Sequence, residues 1–135
     1  MPEADINLIA VLVASVVNMF VGYFWYHQKV FGTAWMNLVG MTEEKAKKGQ
    51  GMAMGGMFVV ALISNFILAH LVDYTQATTI AEGVVTGLLL WVGFSGAVLF
   101  TQVAFERRPW KWFGISAGYQ LVVLLVNGAL LALWA

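Results

Sequence analysis

Apolar residues fill four long stretches of this chain, at residues 6–27, 51–72, 80–101 and 115–135. Each stretch has the roughly 20 residues that a helix needs to cross a hydrocarbon layer of about 30 Å. The runs are apolar on every face and do not alternate in polarity, so they do not fit the strands of a membrane barrel. The pattern predicts an all-α integral membrane four-helix bundle, with residues 1–135 as a single transmembrane domain.

The connection at residues 28–50 has apolar side chains at helical spacing. Phe31, Trp35 and Leu38 recur every three or four positions, as in an amphipathic helix that lies in a membrane interface. Thr42 then stands where a helix N-cap is expected, ahead of two glutamates. We therefore predict a short cytoplasmic interfacial helix between spans one and two, followed by a second short helix.

The basic residues predict the orientation. All seven lie in the connections at residues 28–50 and 102–114, whereas residues 73–79 have none and the amino terminus carries Glu3 and Asp5. The positive-inside rule places the two basic connections in the cytoplasm and both termini outside. The acidic leader and aromatic exit of the first span do not fit a cleaved signal peptide, so we expect this span to be retained.

Composition excludes several classes of function. The chain is 61% hydrophobic and 10% charged, has zero formal net charge, and contains no cysteine. Nucleic acid is not an expected partner, because phosphate binding needs a basic excess. Thiolate chemistry is absent, and no phosphate loop, dinucleotide fingerprint or zinc-protease motif is found. We predict no catalytic residue, no cofactor and no metal, and therefore no enzyme.

Four polar residues lie near the middle of the predicted spans: Asn18, Asn65, Ser95 and Asn127. Polar side chains at this depth usually form hydrogen bonds between helices. The alternative is that they contact a small neutral solute in the middle of the membrane. The sequence leaves both interpretations open.

Three ionisable residues are predicted at the outer ends of the second and third spans. His70 and Asp73 are one helical turn apart, and Glu82 follows the short connection. A carboxylate beside a histidine can bind a cation or accept a proton, but polar residues at span ends are commonly just solvated. His27 lies at the opposite end of its span, so the two histidines do not predict a shared haem or metal.

Small residues recur at four-residue spacing on several predicted helices, as in closely packed membrane helices. Gly83 and Gly87 form one such pair, and Gly93, Ala97 and Thr101 form a second ridge on the same span. These ridges predict packing within the bundle or between copies of the chain.

Several short motifs resemble a known family. They are Phe24–Tyr26, Phe31–Gly32 and Trp35 at the exit of the first span, and Phe105–Pro109 leading to Gly118–Gln120. Together they resemble a bacterial family of small four-span membrane proteins, the domain of unknown function 1761. The resemblance implies the same four-helix architecture in the bacterial cytoplasmic membrane. It implies no activity, substrate or functional residue.

Two classes of function fit these observations. One is a non-enzymatic structural or accessory protein in the lipid bilayer, which self-associates or joins a larger membrane complex. The other is a small transporter or channel for a neutral or weakly polar solute. Four spans are too few to enclose a path, so this second class requires an oligomer.

Overall fold

The computed structural model describes residues 4–134, which are helical throughout except for short connections. Two residues used in the predictions, Glu3 and Ala135, lie outside the described part. In chain order the elements are α1 (Leu8–Trp25), a first π segment (Gln28–Gly32), α2 (Thr33–Val39), α3 (Glu43–Lys48), α4 (Gln50–Tyr74), α5 (Ile80–Leu90), a second π segment (Trp91–Ser95), α6 (Gly96–Glu106) and α7 (Trp110–Leu133).

Four helices are long and apolar enough to cross a membrane: α1, α4, the continuous third span Ile80–Glu106, and α7. The chain is thus an all-α, multi-pass membrane protein, as predicted. The third span extends beyond residue 101 to Glu106, and the fourth begins at Trp110 rather than residue 115. Charged and polar residues can continue a helix past the hydrocarbon layer, so hydropathy alone underestimated the lengths of the third and fourth helices. The break comes at Arg107, whose φ of 55° ends the helix in a left-handed conformation.

Side-chain caps begin three of the helices. The Asn7 carboxamide oxygen accepts from two backbone N–H groups at the start of α1. Thr42 accepts the N–H of Lys45 at the start of α3, as predicted. At the start of α5, Thr79 accepts the N–H of Glu82 at 3.2 Å, and its hydroxyl donates to the Glu82 carboxylate at 2.9 Å. These caps satisfy backbone donors that a helix start leaves unpaired.

Helix α7 is the central element of the bundle, because it packs against α1, α4 and the third span. Small residues of α1 and α4, among them Ala10, Ala14 and Ala69, form the core with Leu131 and Ala132 of α7. These small residues of α1 and α4 therefore face the interior. The third span packs almost entirely on α7.

The contact between α5 and α7 is made backbone to backbone. A Cβ added at Gly83 would lie under 3.0 Å from the Gly128 carbonyl, and one at Gly87 would clash in the same way with the Leu124 carbonyl. Gly128 in turn faces the Gly83 carbonyl. The predicted packing role of Gly83 and Gly87 is confirmed, and α7 contributes a glycine that the sequence analysis did not include.

The second π segment widens the middle of the third span. Its first residue, Trp91, donates its indole N–H to the Ala117 carbonyl of α7 at 2.8 Å. Gly96 lies against the carbonyl and ring of Trp91, where a Cβ would be 3.1 to 3.2 Å from them. The wide turn thus accompanies an inward-facing tryptophan, and π segments inside α-helices are often found at functional positions.

Candidate functional site: a polar cluster inside the bundle

Three of the predicted mid-span residues meet where α1, α4 and α7 converge. The carboxamide oxygen of Asn18 accepts a hydrogen bond from Nδ2 of Asn65 at 3.4 Å. It also accepts a hydrogen bond from Nδ2 of Asn127. Asn65 and Asn127 are buried, and Asn18 is partly buried. One residue of α1 therefore links both partner helices through side chains.

Ser15 completes this group, which we call the polar cluster: Ser15, Asn18, Asn65 and Asn127. The Ser15 hydroxyl accepts from Nδ2 of Asn65 at 3.3 Å and donates to the Val11 carbonyl at 2.8 Å. Ser15 is fully buried. The sequence analysis missed it, although its position one turn before Asn18 places both residues on one helix face.

Asn127 has an unsatisfied polar atom. Its Oδ1 is buried and has no hydrogen-bond partner among the described residues. A buried carbonyl without a donor is unfavourable by about 1–3 kcal/mol. The polar cluster therefore retains the capacity to accept one more hydrogen bond.

The chemistry of the polar cluster is that of neutral groups. Amides and an aliphatic hydroxyl donate and accept hydrogen bonds but do not exchange protons near neutral pH. Such a cluster can orient helices or bind a neutral donor. It has no general acid or general base.

The fourth predicted mid-span residue lies elsewhere. Ser95 is in the second π segment of the third span, is partly buried, and makes no hydrogen bond to the polar cluster. The third span packs on α7 from a different side than α1 and α4, which accounts for the separation.

Two of the three outer residues, His70 and Glu82, make local hydrogen bonds. His70 Nδ1 lies 2.7 Å from the Phe66 carbonyl of its own helix, and Glu82 is held in the Thr79 cap. Asp73 borders a cavity of about 10 Å³, beside Asp5. No group of three His, Asp or Glu side chains within residues 4–134 is arranged to hold a metal ion. A cation or proton site at these residues stays a prediction.

The sequence model of the family described as "Protein of unknown function (DUF1761)" matches residues 9–132. The chain belongs to this family. Among curated proteins and among solved structures, no match to the chain is found. The DUF1761 match includes all four spans and the whole polar cluster.

Most of the aromatic residues that carry the resemblance to DUF1761 meet at one end of the bundle. Trp25 packs on Phe31 with ring centroids 4.8 Å apart, and Tyr26 contacts both Trp35 and Tyr119 at 5.4 and 5.5 Å. These rings join the exit of α1, the first π segment, α2 and α7. Motifs that are far apart in the DUF1761 sequence thus form one aromatic cluster.

Two hydrogen bonds fix α1 against α7 at this end. The Trp25 indole donates to the Ile115 carbonyl at 2.8 Å, and the Tyr119 hydroxyl donates to the Asn18 carbonyl at 3.1 Å. Gly22 leaves the space that the Tyr119 ring occupies. The aromatic cluster and the polar cluster are therefore linked through the backbone of Asn18.

The remaining motif from the sequence, Phe105–Pro109, forms the tight turn between α6 and α7. Arg108 pairs with Glu106 at 3.1 Å, and its guanidinium lies 4.9 Å from the ring centroid of Trp112. Pro109 precedes the first turn of α7, a position at which its missing N–H has no cost. This turn is a local structural motif.

Proposed function

We propose that this protein is a non-enzymatic structural or accessory protein that acts by association within the membrane, with itself or as a subunit of a larger complex. The observation that carries the proposal is the unpartnered small-residue ridge of the third span. Gly93, Ala97 and Thr101 are exposed, and a Cβ at Gly93 would meet no atom within 4 Å. Ridges of this kind allow close approach of another transmembrane helix.

The character of the interior supports a non-enzymatic role. Within residues 4–134 the buried polar side chains are, apart from the Tyr119 phenol, those of Ser15, Asn65 and Asn127, which carry no ionisable group. Their hydrogen bonds join helices of the same bundle. Catalysis by proton transfer or nucleophilic attack requires groups that ionise or are activated by a base.

One observation favours the alternative of an oligomeric transporter or channel for a neutral or weakly polar solute. The free Oδ1 of Asn127 stands in the polar cluster, midway along α1, α4 and α7. A solute with a hydrogen-bond donor would satisfy it. The path would be completed by other copies of the chain, because four spans enclose little space.

Association is tested by filling the ridge. Gly93→Leu should convert an oligomer, extracted in mild detergent, into a monomer, because leucine prevents close helix approach. The measurement is the mass of the protein and its companions in native mass spectrometry. Gly114→Leu in α7 is the matched control, since Gly114 also lies in open space, whereas Gly118, one turn further on, is covered by the Trp25 ring.

Two results would contradict the proposal. The first is a wild-type protein that is monomeric in native lipid nanodiscs and carries no other protein chain. The second is an oligomer unchanged by both Gly93→Leu and Ala97→Leu. A stoichiometric complex with an unrelated chain, lost in Gly93→Leu, would support the accessory form of the proposal.

We also propose that the protein lies in the bacterial cytoplasmic membrane with its basic end inside and both termini outside. The chain has no cysteine, so single cysteines can report accessibility. Thr78→Cys should react with an impermeant maleimide in intact spheroplasts, whereas Lys47→Cys should react only after lysis. Both positions are exposed. The reverse labelling pattern would contradict the charge-based orientation.

A further inference from the structure

An apolar groove runs along the basic end of α1, on the outer surface of the bundle. Phe20, Val21, Phe24 and Trp25 line it from the last two turns of α1, and Val30 closes it from the first π segment. Its volume is about 330 Å³. We call it the α1 groove.

Two of the residues that line the α1 groove, Trp25 and Val30, are held in place by the fold. The Trp25 ring is held by its hydrogen bond to Ile115 and by Phe31, and a Cβ at Gly118 would lie 2.9 Å from that ring. The turn that carries Val30 is held as well, because the N–H groups of Val30 and Gly32 both donate to the His27 carbonyl at 2.9 Å. The part of the groove formed by Trp25 and Val30 therefore needs no rearrangement to accept a ligand.

Two lysines are adjacent to elements of the α1 groove: Lys29 to Val30 in the chain, and Lys111 to Ile115, whose carbonyl accepts the Trp25 indole hydrogen bond. Lys29 directly precedes Val30, and Lys111 lies one turn before Ile115 on the same face of α7. Both are exposed. Among residues 4–134 the ion pair that forms is between Arg108 and Glu106. Neither Lys29 nor Lys111 is paired with a carboxylate of these residues. Positive charge is thus placed next to an apolar groove.

We propose that the α1 groove binds one acyl chain of an anionic phospholipid, with the phosphate between Lys29 and Lys111. The lining side chains are apolar, as an acyl chain requires. The groove ends where aromatic and basic residues mark the boundary between hydrocarbon and headgroups. This proposal is independent of the proposed function.

Native mass spectrometry with defined lipids tests the charge requirement. The purified full chain is incubated with phosphatidylglycerol or phosphatidylcholine carrying identical acyl chains. One phosphatidylglycerol per chain should be retained in preference to phosphatidylcholine. Lys29→Gln and Lys111→Gln should each weaken retention about fivefold, as expected for one lysine beside an anionic headgroup. Lys48→Gln in α3 changes charge equally and should leave retention unchanged.

The apolar walls are tested separately. Phe24→Ala should release the lipid, because Phe24 lines the groove. Phe94→Ala on the third span is the control and should not release it. The two side chains are similarly exposed, at 63% and 68%, but Phe94 does not line the groove. Equal retention of the two lipids, or equal losses in Lys29→Gln and Lys48→Gln, would overturn the proposal. So would a dimer without lipid that Phe24→Ala dissociates, since a second copy would then occupy the groove.

Discussion

Gly87→Leu should disconnect the third span from α7 and leave most of the protein unfolded or aggregated after extraction. The added side chain would meet the Leu124 carbonyl and the Leu125 amide, which belong to a helix backbone and cannot rotate away. Overpacking of a core costs about 1–3 kcal/mol when side chains adjust, and backbone contacts allow less adjustment. The measurement is the monodisperse fraction in size-exclusion chromatography, together with the temperature of aggregation.

Gly114→Leu is the control for this change. Gly114 also lies in a transmembrane helix, but a Cβ there meets no atom within 4 Å. Both variants gain the same helix propensity and the same apolar surface, so their difference reports the helix contact alone. Gly87→Ala should give an intermediate loss. A Gly87→Leu protein as stable as Gly114→Leu would show that α5 and α7 do not approach as described.

Asn18→Leu should destabilise the bundle by about 2 kcal/mol, measured by reversible unfolding in mixed detergent micelles. Its carboxamide oxygen accepts from both Asn65 and Asn127. Without it, Asn127 would have no side-chain partner at all, because its own Oδ1 already lacks one. Interhelical hydrogen bonds in membranes contribute about 0.6–2 kcal/mol, and an unsatisfied buried group adds its desolvation term.

Substitutions at different members of the polar cluster should differ in how much stability they cost. Asn127→Leu should cost less than Asn18→Leu, because it also removes the unsatisfied Oδ1. The double variant should cost less than the sum of the two, since no unpaired amide of Asn127 remains. Ser95→Ala, outside the cluster, should have little effect. Additive losses for Asn18 and Asn127 would contradict the hydrogen bond between them.

The sequence predicts the helices well because hydropathy and capping are local properties. Thr42 has the predicted role at a helix start, and Gly83 with Gly87 forms a close contact. The sequence does not show which helix packs against each face of a given helix. Counting residues places Asn18, Ser95 and Asn127 near the middle of their spans, but it does not show that Asn127 rather than Ser95 lies opposite Asn18.

The second π segment is equally absent from the sequence pattern. Trp91 is a mid-span exception to the interfacial placement of the other tryptophans. Its indole N–H donates a hydrogen bond to the Ala117 carbonyl of α7. A hydrogen bond to a distant backbone atom leaves no trace in composition or spacing. The same reason explains why the acceptor of Trp25 was not predicted.

The central position of α7 has a consequence for biogenesis. Helices α1 and α4 precede it during synthesis and contact each other, so they can pair as soon as both have entered the bilayer. The third span contacts α4 only slightly, and its main partner is a helix that the ribosome has not yet made. During that interval its glycine face is in contact with lipid. Completion of the last span is therefore the step that commits the third span to the bundle.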